Sequence, residues 1–228
     1  MLMNTGKKPV FSKGGLLTTV VWGIDNEVTF ALDGGVYIGG AAVQWLRDGI
    51  QIIQNAAESE ATANSVPDTG GVYFVPAFVG LAAPYWDQYA RGTILGITGG
   101  TTRAHIIRAT LEAIAFQVAE NLEVMREDSG IDIDVMRADG GATVNRFLMQ
   151  FQADILGIPV DVPVIHETTA LGAAFLAALG MGDFKSMEEI GSHWKRAERY
   201  EPTMGEDQRK TLMEQWKKAV ARSRNWAE

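Results

Sequence analysis

The apolar positions of this chain alternate between a period of two and a period near 3.6, and the changes of period mark its elements. At Gly14–Ile24 and Glu27–Tyr37, β-branched and aromatic residues flank Asp25-Asn26, which predicts a β-hairpin with a two-residue turn. The stretch Ile38–Ser59 then reads as one helix with Val43, Leu46, Ile50 and Ile53 on a common face. A polar stretch, Glu58–Gly70, leads to a short strand at Val72–Phe78 and a loop broken by Pro and Gly at Val79–Gly92. From Ala104 to Asp128, the positions Ile107, Leu111, Ile114, Val118, Leu122 and Met125 recur at spacings of three and four, predicting a long amphipathic helix ended by Ser-Gly.

The second half alternates. A strand at Ile133–Asp139 precedes a helix opening at Thr143, and a strand at Ile158–Val164 precedes a small-residue helix at Thr168–Gly182 that must pack closely against something. A mixed-charge helix fills Gly205–Trp226; Trp194, Trp216 and Trp226 are expected to anchor the C-terminal helices to the sheet. Strands followed by strand–helix alternation predict an α/β fold with a mixed sheet flanked by helices. The apolar start at Met1-Leu2-Met3 reads as a strand entered partway along, so Met1 is expected to be an internal methionine of a longer, N-terminally truncated protein.

Two strand-to-helix junctions carry the candidate chemistry. "DGGATVN" (Asp139–Asn145) leaves backbone amides bare at a helix start, where partial positive charge attracts anions or polar ligand edges. Gly141 and Ala142 leave the backbone approachable, and Asn145 in the first turn can both donate and accept, as an adenine edge or a ribose requires. "GGAAVQ" repeats the pattern, with Gly39-Gly40 at a helix start and Gln44 one turn in. On local sequence alone, ordinary turn chemistry is the stronger reading of the first glycine pair, and tight helix packing explains the second as well as a ligand does. Asp139 either orders the glycine turn or reaches solvent, and Asp87 beside Trp86 is expected to cap and pack within its loop.

Composition narrows the partners. A net charge of −8 argues against sequence-independent nucleic-acid binding. The chain has no cysteine, which excludes thiolate metal sites, and its three scattered histidines show no ligand spacing, which argues against a histidine metal site. The apolar runs are too short to cross a bilayer and no signal peptide is visible, so a cytoplasmic location is expected. Neither the dinucleotide fingerprint nor the Walker pattern occurs.

Gly92–Ile114, with its spaced glycines, His105 and Ala109-Thr110-Leu111-Glu112, resembles the second signature of the FGGY family of carbohydrate kinases. "APYWDQYARG", "DGGATVNRFLMQFQADILG" and "TALGAAFLA" extend the resemblance in the same order, and are most similar to the glycerol-phosphorylating members. The resemblance implies an actin-like (ribonuclease H-like) fold, with residues 1–228 forming the C-terminal, nucleotide-side domain. It implies ATP or ADP, with Gly40, Gln44, Gly141, Ala142 and Asn145 along the adenosine side of a cleft. Glycerol as substrate and an oligomer of identical subunits belong to the intact enzyme.

The resemblance also implies that the general-base aspartate lies upstream of Met1, that Mg2+ is held mainly by an N-terminal domain, and that this chain alone is inactive. Ala82, Gln88 and Gly99 depart from the usual pattern; the first two leave the geometry of their loop open, and the third bears on a surface or subunit contact. Three other readings stay open: a kinase of another polyol or sugar, a non-catalytic actin-like nucleotide-binding module, and a truncated gene product without a role of its own.

Overall fold

The computed structural model describes residues 1–227. The hairpin forms as expected: β2 (Leu17–Ile24) and β3 (Glu27–Asp33) pair antiparallel, joined by Asp25 and Asn26 with φ of 52° and 64°. Two consecutive positive φ values give a mirror-image turn, whose twist matches that of the strands. β1 (Leu2–Gly6) pairs with β3, making an antiparallel sheet ordered β1-β3-β2.

α1 (Gly40–Asp48) is shorter than its apolar periodicity predicts. The Trp45 carbonyl accepts from both Gly49 and Ile50, and Gln51 has φ of 55°, so the chain leaves the helix there. Ile50 is exposed, whereas Ile53 reaches the same core as Leu46 through a loop. Part of the polar stretch folds as α2 (Glu58–Asn64).

β4 (Tyr73–Val75) pairs with β5 (Thr93–Leu95). The loop between them is tied at Asp87, whose carboxylate accepts from the Tyr89, Ala90 and Asn225 amides, while Trp86 Nε1 donates to the Gly15 carbonyl. Asp87 therefore caps as expected, whereas Trp86, 50% exposed, braces the loop by its hydrogen bond and not by burial.

α3 (Arg103–Ser129) is the spine. Thr102 and His105 form a reciprocal cap at its start, and Gly130, with φ of 66°, ends it. The predicted strand at Ile133–Asp139 contracts to β6 (Met136–Arg137), which runs parallel to β7 (Val160–Pro163). β7 pairs antiparallel with β8 (Arg196–Tyr200), so this sheet is mixed. The α/β class holds, but the strands divide into three small sheets. α4 (Arg146–Leu156) and α7 (Glu206–Ser223) complete the main core, where Phe116 stacks on Trp216 at 5.2 Å and meets Phe151 edge-on at 5.5 Å.

Two packing expectations fail. α5 (Thr168–Met181) buries no residue. Its apolar positions are spread all round the helix, so no single stripe selects a layer, and its aromatic contact is a small cluster of Phe175, Phe184 and His193 beside α6 (Met187–Ser192). Trp216 anchors α7, but Trp226 lies beyond that helix, 72% exposed, and Trp194 lies between α6 and β8 under the Arg137 guanidinium.

Candidate nucleotide cleft

The two glycine junctions come together. A cavity of about 580 Å³ is lined by Gly40 and Gln44 on one side and by Gly141, Ala142 and Asn145 on the other. Its floor is apolar, formed by Val43, Leu111, Ile114 and Leu148; the two α3 residues continue the stripe that packs the core. Polar groups border it: Arg47, Ser59, Glu60 and Asp139. An apolar slot with a few convergent polar groups suits a flat heterocycle with polar edges.

The glycines differ in kind. Gly140 has φ of 82° and ψ of 175°, a conformation close to glycine-only, so it is there for the turn. Gly40 and Gly141 have no positive φ, and a Cβ added to either meets no atom within 4 Å. Packing thus does not require glycine at Gly40 or Gly141. What their missing side chains leave free is cavity.

The second junction departs from its predicted form. A single-turn 3-10 helix (Gly141–Val144) intervenes, and α4 begins at Arg146 with Asn145 as its N-cap. Asn145 Oδ1 accepts from the Leu148 amide at 2.9 Å, which satisfies a donor that the helix cannot, and Nδ2 donates to Ser59 Oγ at 3.2 Å. The turn is ordered by Thr143, whose hydroxyl donates to the Gly140 carbonyl at 2.7 Å and meets His166 Nδ1 at 3.0 Å. Asp139 is exposed and makes no hydrogen bond through its carboxylate among the described residues, so it does not order the turn.

Sequence reasoning missed Ser59 and Glu60, because α2 spans only seven residues and shows no apolar stripe. Glu60 accepts from the Arg146 amide at 3.0 Å, and Ser59, 1% exposed, donates to the Ala56 carbonyl. Arg47 pairs with Asp48 at 2.6 Å on the outer rim, which holds the Asp48 carboxyl below its usual range. Among the described residues, no group of three or more His, Asp or Glu side chains is placed to hold a metal ion, and no helix is long and apolar enough to cross a membrane.

The model of the C-terminal domain of the FGGY family of carbohydrate kinases matches residues 1–181. Glycerol kinase 2 of Thermotoga maritima is 61% identical over 226 residues, 99% of this chain and 46% of its own length. The glycerol kinase of Caldanaerobacter subterraneus subsp. tengcongensis is 60% identical over 228 residues, 100% of this chain and 46% of its own. The crystal structure of Plasmodium falciparum glycerol kinase with ADP superposes with a TM-score of 0.89 at 38% identity, covering 97% of this chain and 44% of that one. The chain therefore spans about half the length of the relatives that it matches.

Proposed function

Because the chain belongs to the FGGY family of carbohydrate kinases, we propose that it forms the nucleotide side of a kinase that phosphorylates glycerol with ATP. The observation that carries this reading is the convergence of both glycine junctions on one apolar-floored cavity. Gly40, Gly141 and Ala142 give the adenosine close backbone approach, Gln44 offers it a side-chain amide, and Asn145 fixes the wall that it lies against.

In the proposed reaction a glycerol hydroxyl oxygen attacks the γ-phosphorus, ADP leaves, and the hydroxyl proton passes to a base. Such transfer rests on positioning and charge stabilisation from both sides of a cleft. Mg2+ would neutralise phosphate charge. The proposal assigns metal, base and glycerol contacts mainly to the remainder of an enzyme of the relatives' length, of which this chain spans about half. An oligomer of identical subunits belongs to the same proposal.

The test has two arms. The chain alone should bind ADP in a titration yet turn over no ATP with glycerol. Combined with the upstream half of a relative, it should give glycerol-dependent ADP release, with no turnover of pentuloses. Preference for a pentulose would move the reading to another branch of the family. Binding of ADP with no turnover in any combination would favour a non-catalytic module.

A further inference from the structure

α2 is a partition. The candidate cleft lies on one side, with Ser59 and Glu60 in its wall. On the other lies a second cavity of about 520 Å³, lined by Asn64, Asp68, Arg108, Glu112 and Phe147, and Glu60 borders both. A seven-residue helix has little stability of its own, so its position must come from contacts made to it.

One arginine makes several of those contacts at once. Arg108 of α3 donates through Nη1 to the Val66 carbonyl at 2.7 Å and to the Ala63 carbonyl at 3.5 Å, which holds the C-terminal end of α2 and the residues after it. Its Nε donates to Glu112 Oε1, one turn on, at 2.8 Å. Its guanidinium also lies 4.9 Å from the Phe147 ring centroid, linking it to α4. The pair is well shielded, with side-chain exposures of 17% for Arg108 and 7% for Glu112. At the other end of α2, Arg103 reaches Glu58 and the Ile52 carbonyl from an exposed position.

We infer that Arg108, oriented by Glu112, is a latch that fixes α2 as a wall of the cleft, so that both are positioning residues for the nucleotide. The inference rests on the nucleotide reading above. Through Ser59 and Glu60, a shift of α2 reaches Asn145 and the Arg146 amide directly, which are the start of α4. Neither Arg108 nor Glu112 lines the cleft.

The test uses Arg108→Met and Arg108→Lys in the 228-residue chain, with two readouts. The first is amide hydrogen exchange without ligand, comparing Glu58–Asn64 with β7. The second is the Kd for ADP. Loss of a charge-assisted hydrogen bond should speed exchange in α2 by about tenfold to a hundredfold in Arg108→Met. Exchange in β7 should not change, and ADP should bind more weakly.

Arg108→Lys keeps the charge but cannot reach Glu112 and the Val66 carbonyl together, so it should fall between. Unchanged exchange in α2 in both variants, or an acceleration shared equally by β7, would overturn the latch. A loosened α2 with an unaltered ADP Kd would overturn its role at the cleft. A loosened α2 in a chain that never binds ADP would uphold the latch and remove the nucleotide reading. Should Arg108→Met not fold, Arg108→Lys decides by the same criteria.

Discussion

The two walls of the cleft are built by different physics. The α1 wall rests on apolar contact: Ala42 and Leu46 are fully buried, and Trp45 stacks on Phe74 at 5.4 Å. Its N-cap, Gly39, supplies no side chain, so the amides at the helix start keep their capacity for a ligand. The opposite wall rests on polar contact. Asn145, Ser59, Glu60 and Arg146 bond one another, and the Arg108–Glu112 pair stands behind them. One wall offers hydrogen bonds, and the other uses its own to hold a shape.

The largest expected difference between the walls is their response to pH. Burial raises the Glu112 carboxyl to about 7, against the pull of Arg108 and with a further push from Asp68. Tyr73 of β4 and, across the second cavity, Glu60, Arg146 and Asp154 are the other charged or titratable groups around it. The unfolded carboxyl ionises near 4.5 and the folded one near 7, so this group's stabilising contribution is complete below about 4.5 and lost as pH rises to about 7. Glu112→Gln should remove that loss, worth about 3 kcal/mol. Urea midpoints of the two proteins should coincide at pH 4.5 and diverge by pH 8, with the variant the more stable. Parallel curves would show that the second wall does not rest on a costly buried charge.

Next in size are the two adjacent glycines. Gly140→Ala forces a side chain into a glycine-only conformation, and should cost about 1–3 kcal/mol of stability. Gly141→Val carries no such strain, because its new side chain enters open cavity. It should leave the urea midpoint nearly unchanged and weaken ADP binding by about tenfold to a hundredfold. Equal ADP affinity in a folded Gly141→Val protein would return this glycine to turn chemistry.

How far these roles can be read in the sequence varies with how local their causes are. The hairpin turn and α3 were legible because their signals are local: Asp25-Asn26 at the turn, and the apolar spacing from Ile107 to Met125 with Gly130 at the helix end. The cleft itself was legible through the glycine junctions and the family resemblance. The N-cap role of Asn145 had a local signal too: an asparagine two residues before the apolar run Phe147-Leu148-Met149 marks a helix start more strongly than Thr143 does. The exposure of α5 had none, since small apolar residues state an ability to pack and not what lies beside them. Ser59 and Glu60 enter the cleft only through tertiary ties, as do Arg108 and Glu112 behind it.

Asn145→Ala should divide its effect accordingly. Losing the cap should cost about 1 kcal/mol of stability. Ser59 Oγ would also lose the Asn145 Nδ2 that donates to it. Any fall in ADP affinity should then be accompanied by faster exchange at Leu148, whose amide the cap holds. Weaker binding with Leu148 still protected would mean that Asn145 meets the ligand directly, and that the second wall is less self-contained than its hydrogen bonds suggest.

The smallest effect sharpens the comparison most. Gln44 is exposed on α1, faces the cavity, and makes no side-chain hydrogen bond among the described residues. Gln44→Ala therefore removes nothing that the folded chain uses, and alanine suits a helix at least as well. Stability should stay within about 0.5 kcal/mol of the unaltered chain. If the amide meets the adenine edge, ADP affinity should fall by about 1 kcal/mol, close to fivefold in Kd. An ADP analogue lacking the exocyclic amine should lose less on the same substitution, because one partner is already gone. Should ADP and the analogue lose equally, Gln44 would not be reading that amine. An unchanged Kd for both would leave the first wall's hydrogen bonding to the backbone amides that follow Gly39.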